Sequence, residues 1–432
     1  MQQVITGVPT APSKSETIKA TLKATKARRK RQRCRVFEVK LDSSHLNQHT
    51  LAQLKHLFLE AKWLYNHILS QPTVFAMDYK LAAVPVKVKD SFELRELCYL
   101  SSHMKQSLIR RTINNIKGLA RLKEKGYKIG PLKYRSCVKS IPLKQYGNTY
   151  KILNDKYLKI QGISQHLRVN GLAQIPAGSE LANATLIQRH GDYFLAITTY
   201  QTREHTPPPT KTVGIDFGIK TQLTLSDGIA IQYAIPIRNK LRKLNQKLSR
   251  CQFRSQNWYK TKRQLENAYA KLTNIKQDIK HKLVHYLQEN YGVVCYQDES
   301  FKAWQRIWGR KILSTAIGGI IRTLEGKMHT PIQVDKWFPS TKTCSRCGNI
   351  RNIGLDERVY VCPVCELVMD RDHNSSVNIE TEGLTHLVPT ERRDVKPVET
   401  ESSTVASLEY LNRIPYVTAS LVGEAGSLTA SA

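Results

Sequence analysis

Cys344-Ser345-Arg346-Cys347 and Cys362-Pro363-Val364-Cys365 constrain this chain more than any other feature. They form two CxxC pairs with 14 residues between them, and any fold must bring the pairs together. Two such knuckles supply four thiolates for a tetrahedral Zn²⁺ with no open position, so the expected role is structural. A redox CxxC would leave the second, matching pair unexplained, and an iron–sulfur cluster is a further rival. Of the nine cysteines, Cys34, Cys98, Cys137, Cys251 and Cys295 are scattered singly. The N-terminus lacks the order of a signal peptide, so metal binding is expected over disulfides and the chain reads as cytoplasmic. Lys342 and Arg358 flank the pairs, placed to balance thiolate charge or touch phosphate.

The second constraint is charge. Lys and Arg number 67 against 35 Asp and Glu, a net charge of +32. Such a field attracts polyanions and keeps its pull at physiological salt. No apolar run approaches the ~20 residues of a spanning helix, so a membrane is not expected as a partner. Nucleic acid is the first partner to consider, although a basic ribosomal or structural protein also fits the charge alone. Part of the charge is concentrated near the N-terminus, in Arg28, Arg29, Lys30, Arg31 and Arg33. Residues 1–22 are polar and read as disordered. Together with this basic run they suggest a solvated arm contacting RNA or DNA, a solubilising tail being the plainer alternative.

The layout then changes along the chain. VFEVKL (36–41) alternates like a strand. Residues 51–70 carry Leu51, Leu54, Leu57, Trp63, Leu64 and Ile68 at helical spacing, and 92–124 continue the helical character with a basic polar side. Residues 137–210 break into short β-like runs, with His190-Gly191-Asp192 as a hairpin turn between the last two. Pro207, Pro208 and Pro209 read as a stiff linker. Residues 237–290 are two helical stretches, and Trp304 and Trp308 read as core residues before they read as stacking platforms. After Ile379 the chain turns polar and reads as a loosely ordered tail.

Carboxylates are scarce, and three segments place them pointedly. VGIDFGIKTQLTLSDG (213–228) runs an apolar strand into Asp216 beside a tight hairpin. YGVVCYQDES (291–300) ends a buried strand in Asp298 and Glu299, where open α/β sheets put their sites. MDRDHNSSVNI (369–379) leads Asp370 and Asp372 into a helix, though either could be only a cap. Cleaving a phosphodiester with two divalent metals needs carboxylates converging from separate elements, and Mg²⁺ prefers such oxygens.

This order of motifs resembles the C-terminal half of the TnpB family, encoded by insertion sequences and related to Cas12 nucleases. STKTCSRCG (340–348), ERVYVCPVC (357–365) and the DRDxN run are the most specific parts, and VPTERRDVKPVE (388–399) is similar to endings in the family. The likeness covers 211–399 by motif and 34–210 by layout. It implies an α/β protein: an RNase H-like (RuvC) catalytic core with an inserted zinc ribbon, an N-terminal barrel-like wedge and a helical recognition module. The implied boundaries are a basic arm at 1–33, a wedge at 34–50 and 137–210, and a recognition module at 51–136. The nuclease spans 211–340 and 366–380, the ribbon 341–365 and the tail 381–432. By motif Asp216, Glu299 and Asp372 take the catalytic positions with two Mg²⁺, one Zn²⁺ is structural, and guide RNA and target DNA are the partners. Two departures stand out. Gln297 occupies the place where many members have Glu, so Asp298 remains a substitute for Glu299 and a nuclease-dead DNA binder remains a rival. Ser375-Ser376 replaces the usual pair of alanines and is expected to pack similarly. A strand-joining transposase and a zinc-ribbon module without chemistry are further readings. Monomer and dimer stay open.

Overall fold

The computed structural model describes residues 14–71, 77–88, 90–202, 207–234, 238–309, 312, 315–354, 356–387 and 401–422. Two compact units divide the chain, Met1–His205 and Thr206–Ala432. The 388–399 ending lies outside the described residues.

The first unit begins with helix α1 (Lys14–Arg31), followed by strand β1 (Arg33–Leu41) and helix α2 (Gln48–Ser70). Then come the hairpin β2 (Ala83–Val88) and β3 (Ser91–Glu96), and helix α3 (Ser102–Glu124). The rest of the unit is β4 (Ser140–Leu143), β5 (Tyr150–Ile152), β6 (Tyr157–Ile160), β7 (Leu167–Asn170), β8 (Glu180–Arg189) and β9 (Asp192–Gln201). Seven of these strands form one antiparallel sheet in the order β4-β8-β9-β1-β7-β6-β5. Its two outermost strands are joined by only residues 144–149. A flat sheet of that width would need a span of ~29 Å at 4.8 Å per strand, more than the ~25 Å that seven chain steps can reach. The sheet therefore rolls up, and Tyr150 Oη donates to Ala182 O of β8 at 3.0 Å across the gap. The β8–β9 turn is the sequence's own: His190 (φ 55°) and Gly191 (φ 85°) are both left-handed, as a two-residue hairpin turn requires.

Helix α2 buries Leu54, Leu57, Ala61, Leu64 and Ile68 at helical spacing, and the Asn47 side chain caps it by accepting from Thr50 N. Its buried Glu60 accepts the backbone N–H groups of Cys98, Tyr99 and Leu100 just before α3, which satisfies that buried charge. The 51–136 module is thus not purely helical. It contains β2–β3, whose face bearing Phe92 and Leu94 is exposed. The arm also departs from expectation. Residues 14–31 are helical because Ala20, Ala24, Ala27, Leu22 and the lysines are good helix formers, and because the basic cluster sits in the last turn, where the helix dipole favours it.

The second unit opens with β10 (Thr212–Phe217), β11 (Leu223–Leu225) and β12 (Ile229–Tyr233), then a long helical pair, α4 (Arg238–Arg250) and α5 (Gln256–Asn290). Next are β13 (Val293–Gln297), α6 (Phe301–Trp308), α7 (Ile317–Lys327) and β14 (Thr330–Val334). The ribbon ladder β15 (Val359–Val361) and β16 (Val368–Asp370), helix α8 (Arg371–Thr385), helix α9 (Glu401–Asn412) and β17 (Val417–Leu421) complete it. The main sheet runs β14-β13-β10-β11-β12-β17. Strands β10, β13 and β14 are parallel, whereas β10-β11-β12-β17 are antiparallel. Helix α8 lies directly on the sheet. A Cβ on Gly214 would sit 2.0 Å from Ser376 O, and one on Gly383 would sit 2.5 Å from Cys295 Sγ, so only glycine permits the approach at each point.

The tail is the clearest correction. Residues 401–421 form α9 and β17, with Leu411, Ile414, Val417 and Ala419 buried in the main core. Asn412 locks the pair by bonding both N and O of Ala419. Among the described residues no helix is long and apolar enough to cross a membrane.

Candidate active site

Parallel pairing sets the register of the carboxylates. Ile215 of β10 faces Tyr296 of β13, so Asp216 stands level with Gln297, and Glu299 follows two residues on at the same C-terminal edge. Helix α8 brings the third. Asp370 caps its N-terminus, its Oδ1 accepting from Asp372 N and His373 N at 2.9 Å each, and Asp372 falls in the first turn. Asp370 is therefore engaged as a cap, as its place before a helix suggested.

The three carboxylates lie near enough for charge on Asp372 and Glu299 to act on Asp216, although among the described residues only the four ribbon cysteines are drawn together tightly enough to hold a metal as they stand. Burial raises the Asp216 carboxyl well above the usual carboxylate range, and the charges of Asp372 and Glu299 raise it further, with Arg371 opposing them. Burial and then Asp298 push Glu299 up to about 7. Asp298 itself is exposed, whereas Glu299 and Asp216 are half-buried. Glu299 is thus the member of the acidic pair that faces Asp216.

Asp372 is held by arginine. Arg371 Nη2 and Nε donate to its Oδ1 at 2.9 and 3.1 Å, and Arg358 Nη1 lies 3.6 Å from its Oδ2. Arg358 therefore pairs with a carboxylate of the site, not with the thiolates. It is carried there by the ribbon ladder, in which Val359 pairs with Asp370. Lys342 is exposed and donates to Asn352 Oδ1 at 3.1 Å.

Gln297 answers the first departure. Its side chain is buried, its Nε2 donates to Asp335 O at 3.0 Å and Phe338 O at 2.8 Å, and its Oε1 accepts from Ser340 Oγ at 2.8 Å. An amide satisfies all three partners, and a carboxylate in its place would face two carbonyl oxygens. Its position is structural: it ties β13 to the segment entering the ribbon. Helix α8 grips the same segment. Asn378 Nδ2 donates to Ser340 O and Thr343 O, Asn374 Nδ2 donates to Thr343 O, and Asn374 Oδ1 accepts from Ser345 N. The second departure also does more than fill space. Ser375 Oγ donates to Ser340 Oγ at 3.0 Å and Ser376 Oγ to His373 O at 2.8 Å, bonds unavailable to alanine.

The four ribbon cysteines converge, all their Sγ atoms lying within 4.8 Å of one another. Cys344 and Cys365 are 3.5 Å apart and Cys347 and Cys362 3.6 Å. Tetrahedral Zn–S bonds of ~2.3 Å place sulfurs ~3.8 Å apart, so the cluster could hold zinc with little adjustment. Without a metal the four thiols share their protons unevenly: the N–H groups of Cys365 and Val364 pull the Cys362 thiol down to about 6, while hydrogen bonds with the other thiols push Cys365 up to about 12.

The basic arm is only partly open. Arg28 and Arg29 both pair with Glu180, and Arg29 also stacks over Tyr200. Lys30, Arg31 and Arg33 are exposed. Trp304 packs against the core as a half-buried residue, with Trp308 edge-on to it. Sequence reading passed over a second basic surface, the α4–α5 turn. There Arg254 lies over exposed Phe253, Lys262 lies over Trp258, and Tyr259 is exposed. Aromatics interleaved with Lys and Arg in 250–263 were the available signal.

Two segments of the chain match known family models. Residues 196–298 match the OrfB_IS605 family model, described as "Probable transposase", and residues 323–379 match the Cas12f1-like TNB domain. A protein of Streptomyces pristinaespiralis named "Putative RNA-guided DNA endonuclease" is 28% identical over 58% of this chain and 65% of its own length. One of the same description in Escherichia coli is 31% identical over 27% of this chain and 30% of its own. A TnpB-like protein of Acanthamoeba polyphaga mimivirus is 26% identical over 40% of this chain and 37% of its own. The chain thus spans less than two thirds of these relatives' length. A solved Cas12f1 complex with guide RNA and target DNA overlays 81% of this chain and 99% of its own at TM-score 0.49 and 12% identity. The segment similar to the OrfB_IS605 model thus carries Asp216, and the segment similar to the Cas12f1-like TNB domain carries the four cysteines and Asp372.

Proposed function

We propose that this chain is an RNA-guided DNA endonuclease that cuts phosphodiester bonds at Asp216, Glu299 and Asp372 in an RNase H-like (RuvC) core. The observation that carries this reading is the meeting at one sheet edge of three carboxylates from three separate elements, where the charges of Asp372 and Glu299 act on Asp216. Such a cluster is unfavourable alone and is relieved by divalent cations, whose oxygen-ligand chemistry it suits. Bound there, two Mg²⁺ ions would activate water and stabilise the leaving oxygen. The protein's own contribution is orientation. The Asp370 cap and Arg371 fix the rotamer of Asp372, and the backbone of β10 fixes Asp216. The sheet order supports the RuvC reading, with antiparallel hairpin strands on one side of the Asp216 strand and parallel crossover strands on the other. Zn²⁺ in the four cysteines would hold the ribbon that presents Arg358.

Guide RNA and target DNA would be gripped through their phosphates by Lys30, Arg31, Arg33, Lys342 and the α4–α5 surface, while base pairing with the guide reads the target. The activity suits the cytoplasm, where such nucleic acids lie. The test is to co-express the protein with its flanking locus, sequence the RNA that co-purifies, and add matched DNA carrying a randomised flank. Mg²⁺-dependent cutting is expected, falling more than about a hundredfold in Asp216→Ala and Asp372→Ala. Guide-matched binding without cutting by the unaltered protein would overturn the nuclease reading in favour of a DNA binder.

A further inference from the structure

Trp337 is 80% exposed. A tryptophan so placed gives up nearly all of its burial energy, and here the backbone beneath it is held firmly. Gln297 Nε2 bonds to the carbonyls on either side of it, Asp335 O and Phe338 O. Trp337 N donates to Asp335 Oδ1 at 2.7 Å, and Phe338 N donates to Asp335 O at 3.1 Å, closing the turn. Phe338 is tucked against Cys295, Val334 and Ile379. The indole is thus presented from a rigid turn, not left on a loose loop.

Its place in the sheet gives the exposure a meaning. Val334, the last residue of β14, pairs with Gln297, and Asp298 N donates to Val334 O at 3.0 Å. The turn bearing Trp337 therefore leaves the sheet at the same edge as Glu299. In the order β14-β13-β10 it starts two strands from Asp216, ~10 Å away at the spacing of paired strands. That is a reach of about three nucleotides in a stacked strand. Lys336 Nζ lies 5.0 Å from the indole centroid, so a cation accompanies the ring, as in surfaces that stack bases and neutralise phosphates together.

We propose that Trp337 is a positioning residue that stacks a base of single-stranded nucleic acid and feeds the neighbouring phosphate toward the Asp216–Glu299–Asp372 edge. The proposal rests on the nuclease reading for its purpose, but the stacking itself does not need cleavage. The occupant is a nucleobase, because a flat ring that is 80% exposed with a lysine against it suits a stacked base beside its phosphate, and the net charge of +32 favours a polyanion.

The test uses the purified full chain with its co-purified RNA and a 12-nucleotide single-stranded DNA carrying 2-aminopurine at successive positions. Stacking quenches that fluorophore. Quenching at one or two positions is expected, lost in Trp337→Ala and restored in Trp337→Tyr, with strand affinity falling about tenfold in the alanine variant. Asp372→Ala protein should quench as the unaltered protein does, because cutting is not involved. Equal quenching and affinity in Trp337→Ala would overturn the proposal. So would a Trp337→Ala variant that bound the strand normally but lost self-association in sedimentation, which would assign the ring to a second copy of the chain. Trp337-dependent quenching by a protein that never cuts would support the stacking site while removing the nuclease reading.

Discussion

Gln297 shows what a motif can hide at the scale of one residue. In sequence it looks like a catalytic glutamate lost, whereas in the structure its amide accepts from a hydroxyl and donates to two carbonyls, and those donations a carboxylate could not make. Gln297→Glu is therefore expected to weaken the fold by about 2–4 kcal/mol, read as a lower melting temperature, and to reduce cutting, not enhance it. A gain in cutting would show that the position is catalytic after all. Glu299 carries a pH signature. Burial and Asp298 hold its folded pKa at about 7, above the ordinary 4.5, so the folded chain holds more protons than the unfolded chain between them. Stability of the magnesium-free protein should fall as pH rises from about 4.5 to 7, by up to about 3 kcal/mol, and Mg²⁺ should flatten that slope. Melting curves across that range with and without Mg²⁺ read it directly. The convergence of the four cysteines was legible in the sequence because metal chemistry restricts both residue type and spacing, and the approach of Asp372 to Asp216 was legible from carboxylates set at a strand end and a helix start. The pairing of Arg358 with Asp372 was not, because it depends on a ladder register that no local pattern announces.

At the scale of elements, the ribbon and helix α8 act as one piece. Asn374 and Asn378 grip the segment entering the first knuckle, and the β15–β16 ladder ends on the cap of α8. Zinc should thus matter for chemistry as well as for the ribbon. Cys344→Ser is expected to lose bound zinc and at least about tenfold in cutting, because Arg358 and the Asp370 turn lose their support. Metal stoichiometry alongside cleavage rate separates the two, and full cutting without zinc would break the link. Elements with strong periodicity, such as α2 and the β8–β9 hairpin, were readable. The helix α1 and the pair α9–β17 were not. Composition outweighed propensity in the first case, and in the second the apolar positions Leu411, Ile414, Val417 and Ala419 are too sparse to announce a core segment.

At the scale of the whole molecule, +32 should make nucleic-acid binding strongly dependent on salt. Each phosphate contact contributes a slope of about −0.9 in log affinity against log salt on duplex DNA, so Lys260→Glu with Lys262→Glu at the α4–α5 turn should flatten the slope by one to two units. An unchanged slope would take that turn out of the interface. The last strand of the main sheet, β17, has a consequence in time. It closes the open edge of β12, yet roughly 180 residues separate them, which at 5–20 residues per second is about 10–40 s of synthesis. Asp372 likewise emerges long after Asp216. A ribosome making this protein therefore carries a chain whose sheet is unfinished and whose third carboxylate is not yet present. On the nuclease reading no complete site exists until translation nears Asp372, and for that interval the bare β12 edge is the part most in need of a chaperone.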